Sequence, residues 1–256
     1  MVLIGAGRLA TQLGRALVQT GHRVECVYSR TEASAQALAQ ALGSRATSLL
    51  DDVPKEADLF IVALKDSVLS SLLPLLAKGR AGQLMVHTAG SMPMSIFDGL
   101  VRHYGVFYPM QTFSKDHPVQ FSDLSLFVEA SDADSLHTLR MLAGSLTPHV
   151  YELSSDDRRQ LHLAAVFACN FVNHCYALSA EVLERMGLPF SVMLPLIDET
   201  ARKVHFLSPR EAQTGPAVRY DQNVISMQAE MLSGDPLTRD IYERMSLSIH
   251  QKQEKQ

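Results

Sequence analysis

The sequence is short of the residues that metal and redox sites need. Its 256 residues include three cysteines, none with the Cys-x-x-Cys spacing of a zinc site or redox pair. Their apolar neighbours predict buried free thiols at Cys26, Cys169 and Cys175. The ten histidines form no His-x-x-x-His or His-Glu-x-x-His pair, so we expect no metal site.

Positive charge and long apolar runs are also scarce. The formal net charge is −4 without a basic stripe, which argues against a nucleic-acid partner. No apolar run is expected to reach membrane-spanning length, and an apolar strand starts at Met1, so we expect neither a signal peptide nor a membrane partner. With 46% hydrophobic and 20% charged residues, the composition fits a cytoplasmic globular protein of one large domain or two modest ones.

A glycine-rich turn separates an apolar strand from a helix in the first ten residues, Met1-Val-Leu-Ile-Gly-Ala-Gly-Arg-Leu-Ala10. This Gly-x-Gly-x-x-Ala pattern is typical of dinucleotide-binding domains, because its glycines allow a tight turn and a close approach of the backbone to a pyrophosphate. The pyrophosphate is expected at the helix N-terminus. The candidate cofactor-binding residues here are Gly5, Ala6, Gly7, Arg8 and Leu9.

The following segments give this turn the expected context. Ala10–Gln19 is predicted to be a helix that ends at Gly21, and Arg23–Tyr28 a second strand. Strand, turn, helix and strand therefore fit within about thirty residues, as the fingerprint requires.

The residues after the second strand indicate which dinucleotide is bound. An NAD site usually has Asp or Glu here to hold the ribose 2′-hydroxyl, whereas this chain has Ser29, Arg30 and Thr31. Arg30 can pair with a 2′-phosphate while the hydroxyls donate hydrogen bonds, so we predict NADP(H) as cofactor. Thr31 can also cap the helix that begins near Glu32.

Two further strands are predicted to end at the same edge of the sheet, where ligands bind in open α/β proteins. Asp58–Leu64 is expected to be the fourth strand, and Asp66 or Ser67 to cap the helix that runs to Leu76. Leu84–His87 is expected to be the next strand. The candidate cofactor-binding residues at these ends are Leu64, Lys65, Asp66 and Thr88.

The rest of the chain predicts the fold class. Gly105–Tyr108, Leu124–Glu129 and Val150–Leu153 are expected strands, with a helix over Ala133–Ser145 between the last two. We therefore predict an α/β fold, with an N-terminal Rossmann-type doubly wound sheet over residues 1–153 and an all-α C-terminal domain over residues 154–256. Its expected helices are Asp156–Met186, Pro189–Phe206, Arg219–Leu232 and Pro236–Gln251, followed by a frayed tail over Gln251–Gln256.

The first of these helices carries polar residues among apolar ones. Asn173 and His174 lie three and four positions after Asn170, and His162 lies eight positions before it, so all four are predicted near one face. If buried, they need partners. Substrate contact, interhelical hydrogen bonds and a dimer seam are all compatible with this pattern.

The ordered set of motifs resembles the Rossmann-like plus DUF2520 family. The resemblance rests on the glycine turn, His87-Thr-Ala-Gly-Ser91, Pro109-Met-Gln-Thr-Phe-Ser114, His162-Leu-Ala-Ala with Asn170-Phe-Val-Asn173, and Gln213-Thr-Gly-Pro-Ala217 with Arg219 and Asp221. Members are described as NADP oxidoreductases similar to pyrroline-5-carboxylate reductase, F420-dependent NADP oxidoreductase and the β-hydroxyacid dehydrogenases. The resemblance implies a nicotinamide cofactor and a helical homodimer.

Two departures from these relatives affect the expected reaction. The β-hydroxyacid dehydrogenases have a lysine one helical turn before an asparagine, and this chain has Val166 there, counted back from Asn170. Tyr108 stands where the family pattern has a histidine before the proline. Without the lysine, reduction of an imine is favoured over oxidation of a hydroxyacid.

The sequence therefore predicts an NADPH-dependent reductase of a small imine or carbonyl compound. A non-catalytic NADP(H)-binding sensor or scaffold is the alternative. His87 and His162 are expected to titrate near neutrality as proton donors. Asn170, Gln111 and Thr112 are expected to orient or polarise the substrate, and Arg219, held by Asp221, to bind a substrate carboxylate.

Overall fold

A computed structural model describes residues 1–254 of the chain. It contains two compact units, one from Met1 to Cys169 and one that starts at Asn170. The boundary lies inside the first helix of the predicted C-terminal domain. The start of that helix therefore belongs to the same compact unit as the sheet.

The first unit is built on one eight-stranded sheet. Its strand order is β3-β2-β1-β4-β5-β6-β7-β8, so the order reverses beside β1. All neighbouring strands are parallel except the antiparallel pair β6 and β7. The strands are β1 Val2–Ile4, β2 Cys26–Tyr28, β3 Arg45–Thr47, β4 Phe60–Val62, β5 Leu84–His87, β6 His103–Pro109, β7 Leu126–Ala130 and β8 Val150–Glu152.

Helices cover both faces of this sheet. The hydrophobic core has two parts, one on each face of the sheet. Because side chains alternate along β1, Val2 and Ile4 pack in one part and Leu3 in the other. Such burial on both faces is typical of parallel sheets, and it confirms the predicted Rossmann-type doubly wound fold. The helices of this unit are α1 Arg8–Gln19, α2 Glu32–Leu42, α3 Asp66–Leu76, α4 Ala133–Gly144 and α5 Ser155–Ala165.

The second unit is helical, as predicted. The expected helix over Pro189–Phe206 is a 3₁₀ turn, Phe190–Met193, followed by an α-helix. The helix expected over Arg219–Leu232 is shorter, Gln222–Glu230, and a further short helix, Pro216–Arg219, precedes it. The helices are α6 Val172–Arg185, α7 Leu194–Lys203, α8 Pro216–Arg219, α9 Gln222–Glu230 and α10 Pro236–Glu254. The expected frayed tail is helical as far as Glu254, and residues 255–256 lie outside the described part.

The predicted long helix is continuous but not regular. A π-helical turn, Val166–Phe171, lies between α5 and α6. Residues Ser155–Arg185 together form a 31-residue helical run that is long and apolar enough, by length and composition, to cross a membrane. The expectation that no run reaches that length was therefore wrong. One such helix is weak evidence for a membrane span, and none of its most apolar 18-residue window is buried.

The cysteines only partly match their prediction. All three are free thiols, but Cys26 is buried whereas Cys169 and Cys175 are half-buried. Burial raises the pKa of the Cys26 thiol above its usual value.

Candidate functional site

The glycine turn has the geometry that a tight strand-to-helix connection needs. Gly5 has a φ of 118°, which side-chain-bearing residues rarely adopt. A Cβ on Gly5 would lie 2.3 Å from the carbonyl oxygen of Ala63, at the end of the neighbouring strand β4. Its amide donates to the carbonyl of Tyr28 at 2.7 Å. Gly5 thus lets β1, β2 and β4 converge at one edge of the sheet.

Gly7 faces open space at the start of α1. A Cβ built on it would meet nothing within 4 Å. Gly7 occupies the N-cap position without a side-chain capping bond, and the first turn of α1 holds no acidic residue. The first N–H groups of the helix therefore remain available to an anion, and exposed Arg8 adds a positive charge beside them. Of the other turn residues, Ala6 is buried and Leu9 half-buried.

The end of β2 presents the residues predicted to select the cofactor. Ser29 is half-buried, and Arg30 and Thr31 are exposed. Thr31 occupies the N-cap position of α2, but its side chain makes no capping hydrogen bond, so the predicted capping bond is absent. This leaves the hydroxyl and the guanidinium available at the point where a 2′-phosphate is expected.

The ends of β4 and β5 are joined through their side chains. Asp66 accepts a hydrogen bond from the Ser91 hydroxyl. Lys65, and not Asp66 or Ser67, occupies the N-cap position of α3, which corrects the predicted cap. Leu64 is half-buried, Lys65 is exposed, and Thr88 is buried with its amide donating to the carbonyl of Val62 at 3.3 Å.

His87 is a core residue of β5. Its side chain is fully buried, stacks on Phe97 with ring centroids 5.8 Å apart, and accepts the Ala89 amide at Nδ1 over 3.1 Å. Burial and the positive charge of Arg158 lower the pKa of His87 to about 4. The pKa of His87 therefore lies below the near-neutral value that was expected, and its role as a proton donor stays a prediction.

His162 lies instead against Tyr108. Its Nδ1 is 3.3 Å from the Tyr108 hydroxyl, and the two rings meet edge to face with centroids 6.3 Å apart. His162 is half-buried on α5, and Tyr108 is buried near the end of β6. Burial raises the pKa of Tyr108, while the positive charge of Arg158 opposes that rise. The phenol therefore keeps its proton at neutral pH.

Gly90 brings the turn after β5 against this pair. A Cβ on Gly90 would lie 2.6 Å from Nδ1 of His162 and 3.0 Å from Cζ of Tyr108. The distance to the His162 ring is shorter than real Cβ atoms show, so any larger residue at position 90 would displace the imidazole. Because Asp66 binds Ser91 in the same turn, the ends of β4, β5 and β6 are connected around the histidine and the phenol.

A buried ion pair holds the start of α5 beside this cluster. Arg158 is 1% exposed, and its Nη1 lies 2.5 Å from Oε2 of Glu129 on β7. Its Nη2 donates to the carbonyl of Met92 at 2.5 Å and to Ser155 Oγ at 3.2 Å. Among the described residues its Nε has no hydrogen-bond partner.

The loop after β6 is anchored to α1. Gln12 is buried and its amide donates to the carbonyls of Ser114 at 2.6 Å and His117 at 3.1 Å. Gln111 and Thr112 are exposed in this loop, and the Thr112 amide donates to Oε1 of Gln111 at 2.8 Å. Both are therefore accessible, but their contacts are with each other.

The candidates from the second unit lie on its surface. Asn170, Asn173 and His174 are exposed, so they do not bear the burial cost expected of them. The prediction that His162 and Asn170 share a face assumed a regular α-helix between them. The π turn changes the helical register there, so that prediction loses its basis. Arg219 is exposed at the end of α8, and within residues 1–254 no ion pair joins it to Asp221.

Sequence reasoning missed the residues around His162 that make it part of a cluster. Tyr108 was noted only as a departure, and Arg158 and Glu129 were not singled out. Arg158 stands four positions before His162, one helical turn away, which is the signal that was available. The pairing with Glu129 requires contacts between residues 29 positions apart and had no local signal.

A cavity of about 850 Å³ lies away from these residues, at the N-terminal edge of the strands. Its walls include His22, Glu25, Asp58 and His137. None of the cofactor-binding residues predicted from the sequence lines this cavity.

Comparisons with known proteins agree with this fold. The model of the Rossmann-like domain matches residues 1–110, and that of the domain of unknown function DUF2520 matches residues 124–249. The crystal structure of BF3122 from Bacteroides fragilis, described as a "putative NADP oxidoreductase", is 55% identical with a TM-score of 0.94, over 98% of this chain and 97% of that one. A search among curated proteins gives no match.

Two more distant structures share the fold. An imine reductase from Myxococcus stipitatus in complex with NADP⁺ has 19% identity and a TM-score of 0.68, over 98% of this chain and 92% of that one. A pyrroline-5-carboxylate reductase from Coxiella burnetii has 16% identity and a TM-score of 0.60, over 99% and 96%. With the similarity to BF3122 extending over nearly all of both chains, this chain belongs to the Rossmann-like, DUF2520-containing oxidoreductase family that its motifs predict.

Proposed function

We propose that the protein is an NADP(H)-dependent oxidoreductase that reduces a small imine or carbonyl compound. The observation that carries this proposal is that the glycine turn and the Tyr108–His162 pair lie at the same edge of one sheet. The glycine turn follows β1, and Tyr108 is near the end of β6, which is connected to β1 through parallel strands. Ligands of open α/β sheets bind at this edge.

The cofactor side of the site supports NADP(H) in particular. The uncapped N-terminus of α1 and the open space at Gly7 suit a pyrophosphate. Arg30 is exposed at the end of β2, where a 2′-phosphate is expected, and no carboxylate stands there to repel it. The descriptions of two similar structures, an NADP oxidoreductase and an imine reductase in complex with NADP⁺, also support NADP(H) as the cofactor.

Bound NADPH would supply a hydride to the carbon of the C=N or C=O bond. The protein must then supply a proton to the nitrogen or oxygen, so that an amine or alcohol forms. We assign this proton to the His162–Tyr108 pair, because the hydroxyl and Nδ1 are within hydrogen-bonding distance and His162 is partly accessible. Val166 offers no ammonium group, which favours an imine that needs only a weak acid.

We also propose that the protein is a cytoplasmic homodimer joined through its second unit. Large apolar side chains are exposed there, among them Leu194, Leu196 and Phe206. Exposed apolar surface of this kind marks interaction sites, and a second copy is the partner that the motif resemblance implies. The roles expected of Asn170 and Arg219 remain predictions.

The test is a parallel calorimetric titration with NADPH and NADH at fixed ionic strength, followed by a screen of cyclic imines and small carbonyl compounds for NADPH oxidation. We expect micromolar binding of NADPH, NADH at least about tenfold weaker, and turnover of an imine. Binding without turnover of any compound would favour the sensor or scaffold function. Failure of both cofactors to bind would refute the oxidoreductase proposal.

A further inference from the structure

The buried ion pair and the His162–Tyr108 pair lie on one face of the sheet. Glu129 is opposite Val106 in the antiparallel register of β6 and β7, and Tyr108 is two residues further along β6. Val106, Tyr108 and Phe127 form one cluster, to which Leu161 of α5 adds its side chain. Since side chains two positions apart in a strand share a face, Glu129, Val106 and Tyr108 all point towards α5.

The spacing on the helix matches the spacing on the strand. Arg158 and His162 are one helical turn apart, a rise of about 6 Å. Val106 is paired with Glu129 on the neighbouring strand, so the two residues lie at the same height in the sheet. Along β6, Val106 and Tyr108 are about 6.6 Å apart. The helix therefore contacts the sheet at two points, Arg158 at Glu129 and His162 at Tyr108.

The Glu129 carboxylate also binds the first turn of α5. Oε1 accepts the Ser155 amide at 2.9 Å, and Oε2 accepts the Ser155 hydroxyl at 2.7 Å. Ser155 Oγ in turn accepts the Met94 amide at 2.8 Å. With the Arg158 contact to the Met92 carbonyl, the pair ties α5 to β7 and to the loop that follows the Gly90 turn.

These contacts fix both the position of α5 along the sheet and its rotation. A buried ion pair adds little net stability compared with an apolar pair of the same size, and register is a documented use of such pairs. We propose that Arg158, held by Glu129, is a positioning residue that sets the register of α5 on the sheet and thereby keeps His162 against Tyr108. The catalytic consequence rests on the proposed function, whereas the positioning does not.

The test compares three variants. Arg158→Met alone leaves the half-buried Glu129 carboxylate without its cation, so the double variant, which removes both charges, carries the test. Glu129→Gln/Arg158→Met removes both charges and keeps an acceptor for Ser155. Arg159→Met is the matched control, because Arg159 is the next residue on α5 and forms only an exposed ion pair with Asp156.

The first readout is independent of activity. In protein with labelled histidine and tyrosine, we expect a nuclear Overhauser effect between the His162 and Tyr108 rings in the native chain and in Arg159→Met. In the folded double variant we expect this effect to be lost. An unchanged effect in the folded double variant would overturn the proposal, whatever happens to the activity.

The second readout is a comparison of kcat and KM on any imine found in the screen. Misplacement of a catalytic group by about 1 Å costs on the order of 10²-fold in rate, so we expect kcat of the double variant to fall by that factor while the KM for NADPH is unchanged. Loss of the ring contact with an unchanged kcat would support the positioning and refute the role of the pair as proton source. Absence of NADPH binding in the native chain would refute the proposed function and leave the first readout valid.

Discussion

The two compact units bury their apolar side chains to very different extents. In the first unit, buried hydrophobic residues fill both faces of the sheet, from Val2 to Leu146. In the described part of the second unit, the buried hydrophobic residues are Leu183, Ala217 and Ala229. The first unit thus completes its own core, whereas the second leaves many large apolar side chains exposed.

This difference in burial suits the two units to different functions. Precise geometry, such as the 2.3 Å approach at Gly5 and the His162–Tyr108 contact, is found in the unit with the complete core. Close packing holds side chains and backbone in single positions, as the proposed cofactor turn and proton source require. The second unit offers exposed surface, which suits association.

The largest expected effect concerns the core of the first unit. Gly5→Ala places a Cβ against the Ala63 carbonyl at a backbone conformation that alanine rarely adopts, and we expect a loss of about 4 kcal/mol or failure to fold. Urea unfolding measures the loss of stability.

The matched variant is Gly7→Ala, because position 7 faces open space. It should change stability by less than about 1 kcal/mol while weakening NADPH binding at least tenfold. Equal destabilisation by both changes would contradict the assigned geometry.

The second prediction places the proton source in the first unit. His162→Gln should lower kcat for imine reduction by about 10²–10⁴, because the variant lacks the imidazole that is proposed to deliver the proton with Tyr108. The Kd for NADPH should stay unchanged in calorimetry. His205→Gln changes an exposed histidine of the second unit and should leave both values as they are. A normal kcat in His162→Gln would remove His162 from this role.

The third prediction is a pH dependence of the first unit's stability. The pKa of His87 is about 4 in the folded protein, below the value of about 6.5 in an unfolded chain. Between these pH values the unfolded chain binds more protons, so stability should fall by about 3 kcal/mol as the pH drops from 6.5 to 4. The difference in unfolding free energy between the native chain and His87→Gln isolates this contribution. A difference that does not change with pH would show that His87 is not buried in the neutral form.

The fourth prediction uses two side chains of equal exposure in different units. Leu196 of α7 is 63% exposed and Met141 of α4 is 65% exposed. If the second unit forms the dimer, Leu196→Glu should weaken the dimer at least tenfold, because a symmetric interface buries the charge twice. Met141→Glu should have no effect. Sedimentation velocity over a concentration series measures both, and a monomeric native chain would refute the dimer.

The smallest expected effect is cofactor selection. Arg30→Ala should weaken NADPH binding about tenfold, or about 1.4 kcal/mol, and leave NADH binding nearly unchanged, because the lost contact is with the 2′-phosphate. Arg23 precedes the same strand at its opposite end, and Arg23→Ala should alter neither Kd. Equal weakening of both cofactors would place Arg30 elsewhere than at the 2′-phosphate.

The sequence predicts the sheet well because its signals are local. Leu84–His87 is a strand with exactly these bounds, and the glycine turn starts α1 as expected. The short strand β3, Arg45–Thr47, was not named because three residues, of which Thr47 is the buried one, carry too weak a pattern. The π turn was missed because α-helical periodicity gives no warning of one extra residue.

The site was harder to predict because it depends on burial and on distant contacts. His87 and His162 look alike as histidines beside apolar residues, yet one is enclosed with Phe97 and the other meets a phenol. Which of them keeps an accessible nitrogen depends on the packing of β5, β6 and α5. Similarly, nothing near Asp66 in the chain indicates its bond to Ser91, 25 positions later.

Gly90 has a consequence for the evolution of this family. A Cβ at position 90 would overlap the His162 ring and press on the Tyr108 ring. The three positions should therefore covary among relatives. A relative with alanine or serine at position 90 should carry a smaller residue at position 108 or 162, and should use another proton donor.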